Sequence, residues 1–454
     1  MEIRDMKCDV AVIGGGPGGL PAAIAAARQG ASVILVERNG HLGGNAAMGL
    51  PLLGYLSQHG RRIIGGIAEE FIDDLQKDGY SFGHSRCPMH NSITLVHPEM
   101  FKLMALKKCI EAGVKILFHS EIIDTVVNNG KLTQVSVMGK GTRVDIKADV
   151  FIDATGDGDL SFIAGARYEK GNLESGMLQP PTVMFSLSNF NEEKFFEFLD
   201  KHPENMEQLE TVKIDEGYNT TLWRSTPNHV FVGMKAYLDE LRKKTDCKVL
   251  RENIIYINST IKGKIFINTV RVPGCDGSDI ESLSKGEIDG QLQIPEIYDM
   301  FRKYVPGFEN CELDSISPAI GVRESRRFRG LNKICVEDAL KGYKPADTIA
   351  LAGYKIDIHN GNGQGTILMK IEEPYGIPMS ATISADIDGL LFSGRCISMD
   401  HETLGSMRIM PTCMAIGQGV GTLAAYASAN KMSVRDVDYN IICNSLLKQG
   451  AILK

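Results

Sequence analysis

Six consecutive residues, Gly14–Gly19, restrict this chain more than any other segment. They lie in CDVAVIGGGPGGLPAAIAAARQGASVILVE, which starts at Cys8. Residues 8–13 read as a buried strand and residues 18–29 as a helix of small side chains. Gly30 stops that helix, and Ser32–Glu37 reads as the next strand. The turn between strand and helix carries Gly14-x-Gly16-x-x-Gly19. The first glycine permits the tight turn, the second lets the backbone approach a pyrophosphate, and the third lets helix and strand pack closely. Gly18 belongs to the same loop. The helix start aims N–H groups and a partial positive charge at the phosphates. Glu37 closes the second strand 18 residues beyond Gly19, where a carboxylate can bond ribose hydroxyls. It would repel a 2′-phosphate, which disfavours NADP. Arg38, its neighbour, is counted with the site.

Further glycine-rich segments favour a flavin over a nicotinamide. LGGNAAMG (Leu42–Gly49) follows closely on Glu37. A soluble NAD dehydrogenase has no need of a second such loop there, whereas a flavin must be gripped along its ribityl chain and ring. Gly43 and Gly44 would let backbone reach it, with Asn45 and Ala46 beneath the ring. DATGDGD (Asp153–Asp159) ends a strand in small residues, and Ala154, Thr155 and Gly156 suit close passage by the adenine or pyrophosphate. This aspartate-rich loop lacks the EF-hand spacing, so no metal is expected. Near the other end, a strand stops at Gly394 and a polar loop carries Arg395, His401 and Arg408. A small-residue helix then begins around Met410, Thr412 and Cys413, with Pro411 and Thr412 favouring a helix start. Its positive end would favour a reduced flavin anion.

Composition sets limits. A chain of 454 residues suits two interleaved domains. Hydrophobic content of 43% and charged content of 23% are those of a globular protein. A net charge of −7 gives no electrostatic reason to expect nucleic acid. No apolar run approaches the roughly 18–20 residues of a membrane span. The N-terminus leads almost straight into the first strand, without the apolar core of a signal peptide. Ten cysteines are scattered without a CxxC pair, which argues against structural zinc, an iron–sulfur cluster or a thioredoxin-type pair. A cytoplasmic location fits.

The economical organisation is an α/β Rossmann-like domain in two pieces, residues 1–171 and 345–454, with an α+β substrate domain, 172–344, inserted. In the first piece, residues 61–78 and 99–112 read as helices. Two hairpins turn at Asn128–Gly130 and Lys140–Gly141. In the insert, EEKFFEFLDK and EIYDMFRKYV read as helices, and ENIIYIN and KIFINTV as strands. No second strand–GxGxxG–helix unit appears.

Together the glycine fingerprint, LGGNAA, DATGDGD, PAIGVRESRRFRG, IDIHN, GRCIS and GSMRIMPTCMAIGQGVGT resemble the FAD-dependent oxidoreductase family of glutathione-reductase-type fold. That family is related to the flavoprotein subunits of fumarate reductase and succinate dehydrogenase. The resemblance runs along the whole chain and implies one FAD, held throughout turnover at the seam between domains. The dicarboxylate pattern of the fumarate reductase branch is not recognisable. His41 precedes the LGGNAA glycines and is a weak candidate for covalent attachment, so the FAD is expected to be non-covalent.

Hydride transfer needs the substrate carbon held against the flavin and a group to handle the paired proton. Three segments offer such groups. Arg323, Arg326, Arg327 and Arg329, with Glu324, could clamp a carboxylate or form an ion-pair network; in a strand, Arg323, Arg327 and Arg329 would share one face. His359 lies in a polar glycine-rich loop. His401 and Arg408 precede the flavin-facing helix and are the leading catalytic candidates. Tyr354 and Tyr375 are weaker proton donors. Cys413, at a helix start, is a candidate reactive thiol, with packing the stronger reading. The expected function is hydride exchange between bound flavin and a small polar, carboxylate-bearing molecule, with a separate electron donor or acceptor. Alternatives are an oxidase using dioxygen, an electron-transfer flavoprotein without its own pocket, and an NAD-dependent dehydrogenase. A homo-oligomer is compatible with the sequence.

Overall fold

Val10–Ile13 is a run of four apolar residues with no polar face, so it is stable only where both faces are covered. In the computed structural model, which describes residues 2–206, 217–363 and 365–454, it is the middle strand of a five-stranded parallel sheet. The order across that sheet is Leu390–Phe392, Val150–Asp153, Val10–Ile13, Val33–Val36 and Lys115–Leu117. Val10 lies beside Val33 and Val150, and Phe392 beside Asp153. Both ends of the sequence therefore build one sheet. A second sheet is the meander Glu121–Asn128, Lys131–Gly139 and Thr142–Lys147, joined in parallel by Glu2–Lys7. Its two tight turns place Asn129 and Gly130, and Lys140 and Gly141, at positive φ, as two-residue hairpin turns require.

The helix Gly19–Arg28 lies against the long helix Met410–Ala429 because both are made of small residues. A Cβ on Gly417 would sit 2.2 Å from the Gly18 carbonyl oxygen, and one on Gly421 would sit 2.1 Å from that of Ala22. The two backbones touch directly.

The third sheet is antiparallel, in the order Val230–Gly233, Ile254–Asn258, Ile265–Ile267, Phe185–Ser188 and Glu312–Ile316. One of its faces sits on a core of its own, with Phe185, Phe195, Phe231, Tyr256, Phe301 and Phe308 fully buried. Alternate residues of the same strands, Val230, Val232 and Ile257, face the other way, towards Met89, Ile93 and Leu95.

The helix expected at EIYDMFRKYV is the last part of a longer one, Ile280–Tyr304. Its first turns contain Gly286 and Gly290, which obscure the pattern in sequence. Packing demands both, since a Cβ would meet Cys275 Sγ at 2.5 Å or Val183 Cγ2 at 2.4 Å. Two other readings are corrected. His359 ends a strand, Ile356–His359, which pairs with Thr366–Met369, rather than lying in a loop. The stretch expected as one polar loop after Gly394 contains a helix, His401–Met407, capped by Asp400, whose carboxylate accepts the Thr403 N–H at 2.7 Å.

Candidate active site

An elongated cavity of about 620 Å³ runs along the C-terminal ends of the parallel strands. The fingerprint loop forms one wall through Gly14, Gly16 and Gly18, and Glu37 and Arg38 border one end. Gly14 holds φ at +106°, and a Cβ there would strike the Ala154 carbonyl. A Cβ on Gly16 would meet nothing closer than Gly44 Cα at 3.9 Å, so this glycine leaves open space over the backbone. Glu37 braces the loop: Gly15 N–H donates to one carboxylate oxygen at 2.8 Å, and Asn39 N–H and its side-chain amide donate to the other, each at 2.8 Å. Ala154, Thr155 and Gly156 form the opposite wall, followed by Gly394, Arg395, Met410 and Cys413.

The helix Met410–Ala429 begins at this cavity with no side chain capping its first turn and with Thr412 Oγ1 buried and unpartnered. A bare glycine cradle, an acid at the second strand end and an uncapped helix start fit a flavin dinucleotide. Four residues expected at the cofactor stand behind this lining, Ala46 among them, fully buried. Gly19 packs on Gly14, where a Cβ would lie 1.8 Å from the carbonyl oxygen. Gly43, at φ +108°, turns the chain against the Phe101 ring. Thr412 is fully buried. His41 lines neither this cavity nor the next.

A smaller cavity, about 210 Å³, adjoins the first. Asn45, Val322, Arg395, Arg408 and Met410 border both. The family model for FAD dependent oxidoreductase matches residues 9–446.

The chain belongs to that family. It is an FAD enzyme. The thiamine thiazole synthase of Aeropyrum pernix is 28% identical over 198 residues, 40% of this chain and 65% of that protein. The digeranylgeranylglycerophospholipid reductase of Methanothrix thermoacetophila is 27% identical over 165 residues, 33% of this chain and 40% of that protein. In both, the match spans less than two thirds of the relative's own length. Among solved structures, a geranylgeranyl bacteriochlorophyll reductase-like protein from Thermoplasma acidophilum covers 98% of this chain and 83% of its own, at 13% identity and a TM-score of 0.45. A myxobacterial chondrochloren halogenase covers 98% of this chain and 78% of its own, at 12% identity and a TM-score of 0.48. Among the described residues, no helix of this oxidoreductase is long and apolar enough to cross a membrane.

In the oxidoreductase, one side of the smaller cavity is cationic. Arg251, Arg323, Arg395 and Arg408 line it, with Asp357 the one carboxylate among the lining residues; Arg395 is paired with Asp157, outside that lining, at 2.5 Å. Arg408 donates to the Asp357 carbonyl at 3.0 Å and lies 3.5 Å from its carboxylate. Burial works to raise the Asp357 carboxyl, but His359, Arg408 and Arg323 outweigh it and hold the group well below the usual carboxylate range. Burial pushes Arg323 down to about 9, helped by the repulsion of Arg408 and Arg271.

His359 also lines this cavity. Arg271 donates to its Nδ1 at 2.9 Å. A guanidinium can only donate, so the imidazole accepts at Nδ1 and carries its proton on Nε2, which stands 3.5 Å from Asp357. Burial holds this histidine neutral, with its pKa lowered to about 3.

His401, the leading catalytic candidate in the sequence, lines neither cavity. As the first residue of a capped helix it turns its side chain inward, and its Nδ1 lies 2.8 Å from Glu324 Oε1. The same carboxylate holds Arg327, and its other oxygen accepts the Gln179 N–H at 3.0 Å.

The arginine cluster divides too. Arg326–Phe328 is the only strand in that segment, so the expected shared face does not form. Arg326 bonds Asp159 at 3.0 Å and Ser278 O at 2.9 Å, and Arg329 is exposed. Arg323 alone of the four reaches a cavity. Tyr354 lines the smaller cavity, whereas Tyr375 lines neither. Burial pushes the Cys413 thiol up to about 12, so it is no ready nucleophile despite the helix start.

Several polar residues at or behind the smaller cavity went unremarked in the sequence, among them His90, Arg251, Asn253, Asn268, Arg271 and Asp357. The available signal was a charged residue within or beside an apolar strand pattern, as in INTVRV and KIDIH.

Proposed function

We propose that this enzyme exchanges a hydride between its FAD and a small organic molecule bearing a carboxylate, held in the 210 Å³ cavity. The observation that carries the reading is the charge imbalance there: with Arg395 paired to Asp157, Arg251, Arg323 and Arg408 stand against Asp357 alone. Bound FAD supplies the two-electron acceptor or donor. Arg323 binds the carboxylate of the ligand, and Arg408, anchored on Asp357, stands at the border of the two cavities. His359 donates from Nε2 and orients the ligand. His401 is a positioning residue that acts through Glu324 and Arg327. Arg395 ties the border to the Asp153–Asp159 loop, with its Nε donating to Gly156 O at 2.9 Å. The apolar remainder of the cavity excludes water.

Residues 172–344 are read as the inserted substrate domain, supported by their separate aromatic core. The ten free thiols support a reducing, cytoplasmic setting. Kinship to fumarate reductase flavoproteins rests on the sequence motifs alone. A separate electron partner, and a homo-oligomer, complete the reading.

Anaerobic mixing of the yellow enzyme with a panel of organic acids tests it. Bleaching by at least one carboxylate, and not by its methyl ester, is the expected result. Bleaching by uncharged molecules alone overturns the proposal. An oxidase would release hydrogen peroxide on readmission of air. A pure electron carrier needs no arginine-lined cavity, which speaks against that alternative.

A further inference from the structure

The smaller cavity is polarised along one segment, residues 251–257, in which a bend leads into the strand Ile254–Asn258. Arg251, Asn253, Ile255 and Ile257 all line it, whereas Ile254 and Tyr256 turn into the core of the insert. Within the strand this is the period-two alternation of an extended chain, and the bend before it adds Arg251 and Asn253 to the same cavity. The lining thus changes from cation to amide to branched aliphatic within seven residues. The neighbouring strand continues the aliphatic part, since Val230 pairs with Ile257 and Val232 with Ile255. These four side chains form one apolar wall, extended by Leu53 and Met89.

The opposite end is built for one anion. Arg251 is fixed by bonds to Asn253 Oδ1 at 3.0 Å and Asn268 O at 2.8 Å. The side-chain oxygen of Asn268, which also lines the cavity, is buried and unpartnered. Arg323 spends one N–H group on Pro180 O. Among the described residues neither guanidinium has a carboxylate within ion-pair distance. The other two guanidiniums of the cavity are already engaged, Arg408 lying 3.5 Å from the Asp357 carboxylate and Arg395 2.5 Å from that of Asp157, so a second carboxylate beyond Arg251 and Arg323 would rest on the Val230–Ile257 wall, where nothing pairs it. An uncharged apolar ligand would leave the guanidiniums unanswered.

We infer that the ligand of this cavity is an amphipathic monoanion: a single carboxylate on a compact apolar body, one ring or a short branched chain. The inference rests on the reading of this cavity as the substrate site. It replaces a uniformly polar substrate with one that is polar at one end only. The cavity, at 210 Å³, lies below the roughly 300–1,000 Å³ of pockets for drug-sized ligands, which keeps the apolar body small.

Calorimetric titration of the FAD-loaded full chain with 3-phenylpropanoate, succinate and 3-phenylpropan-1-ol tests this. The monocarboxylate is expected to bind at least about tenfold more tightly than either of the others. Ile257→Asn should weaken it by about tenfold with FAD content unchanged, and Arg323→Gln should abolish the advantage of the acid over its alcohol. Equal or tighter binding of succinate, equal binding of the alcohol, or no binding of any of the three at millimolar concentration overturns the inference. So does an Ile257→Asn enzyme with wild-type affinity. Binding in the expected order without anaerobic bleaching by any organic acid supports the amphipathic site and counts against hydride exchange instead.

Discussion

Arg271 donates to Nδ1 of His359 at 2.9 Å and, through its other terminal nitrogen, to the Gly363 carbonyl at 2.7 Å. One guanidinium thus fixes both the tautomer of a cavity histidine and the loop that follows its strand. Arg271→Met removes both bonds. Substrate-driven flavin reduction should slow by about 10- to 100-fold with FAD content kept. Its pH profile should gain an ionisation that the parent lacks, because Nδ1 is left with the Thr366 hydroxyl at 3.2 Å, which, unlike a guanidinium, can accept a hydrogen bond from a protonated Nδ1. Stopped-flow reduction across pH 5–8 checks this; an unchanged profile with a merely lower rate would remove Arg271 from the positioning role.

Burial holds His359 and His90 neutral, near 3 and near 4, against 6.5 for an unperturbed imidazole. As pH falls from about 7 towards 4.5, the unfolded chain binds protons at these residues and the folded chain does not, so stability falls. Above pH 7 both states are neutral there and the contribution is flat. Asp357 acts in a lower window: its depressed folded pKa contributes stability above the ordinary carboxylate value, lost only as pH drops through the acid range. The melting temperature should therefore decline between pH 7 and 5, and a His90→Asn enzyme should decline less steeply. Parallel thermal scans decide it.

Gly417 rests directly on the Gly18 carbonyl. Gly417→Val forces the two helices apart and should cost about 3 kcal/mol or more, with loss of bound FAD because the cradle lies on the same contact. Gly30→Ala, where a Cβ would meet nothing within 4 Å, is the milder comparison, strained only by its positive φ. Flavin content and denaturant midpoints measure both.

Glu37 accepts three N–H donors from the fingerprint side and from Asn39. Glu37→Ala leaves Gly15 N–H unpaired in a buried place, a cost of roughly 1–3 kcal/mol. FAD should then bind about 10- to 100-fold more weakly with the fold intact. Equilibrium dialysis gives the constant, and full retention of FAD would show that the loop keeps its shape without this brace.

Arg323→Gln and His401→Gln separate the two histidine–arginine groups. The first should slow reduction by the organic acid at least about 100-fold with the flavin spectrum nearly kept. The second takes a partner from the buried Glu324 carboxylate and should lower stability by roughly 1–3 kcal/mol while affecting reduction far less. Equal kinetic damage in both would put His401 back among the groups that touch the substrate.

The cofactor cradle was legible in the sequence because its geometry is local. Gly14, Gly16 and Glu37 lie within one strand–helix–strand unit, and each is required by backbone approach rather than by a distant partner. The substrate cavity was not, because it is assembled from alternate residues of strands whose partners are far away. Ile255 and Ile257 look like any half-buried strand until Val232 and Val230 are seen beside them. His401 misled for a local reason: Asp400 starts a helix where a loop was expected and swings the ring away from both cavities. The arginines of VRESRRFRG misled for the opposite one: around a short strand, Arg323, Arg326 and Arg327 go to three different sets of partners and Arg329 is exposed.

The contact of Gly417 with Gly18, and the strand Leu390–Phe392 beside Val150–Asp153, bring late-made segments onto early-made ones. A ribosome adding about 5–20 residues per second needs tens of seconds between making the fingerprint and making the helix that closes over it. Throughout that interval the nascent chain carries an unfinished half-cradle, and the long helix is the last piece of the lock to arrive.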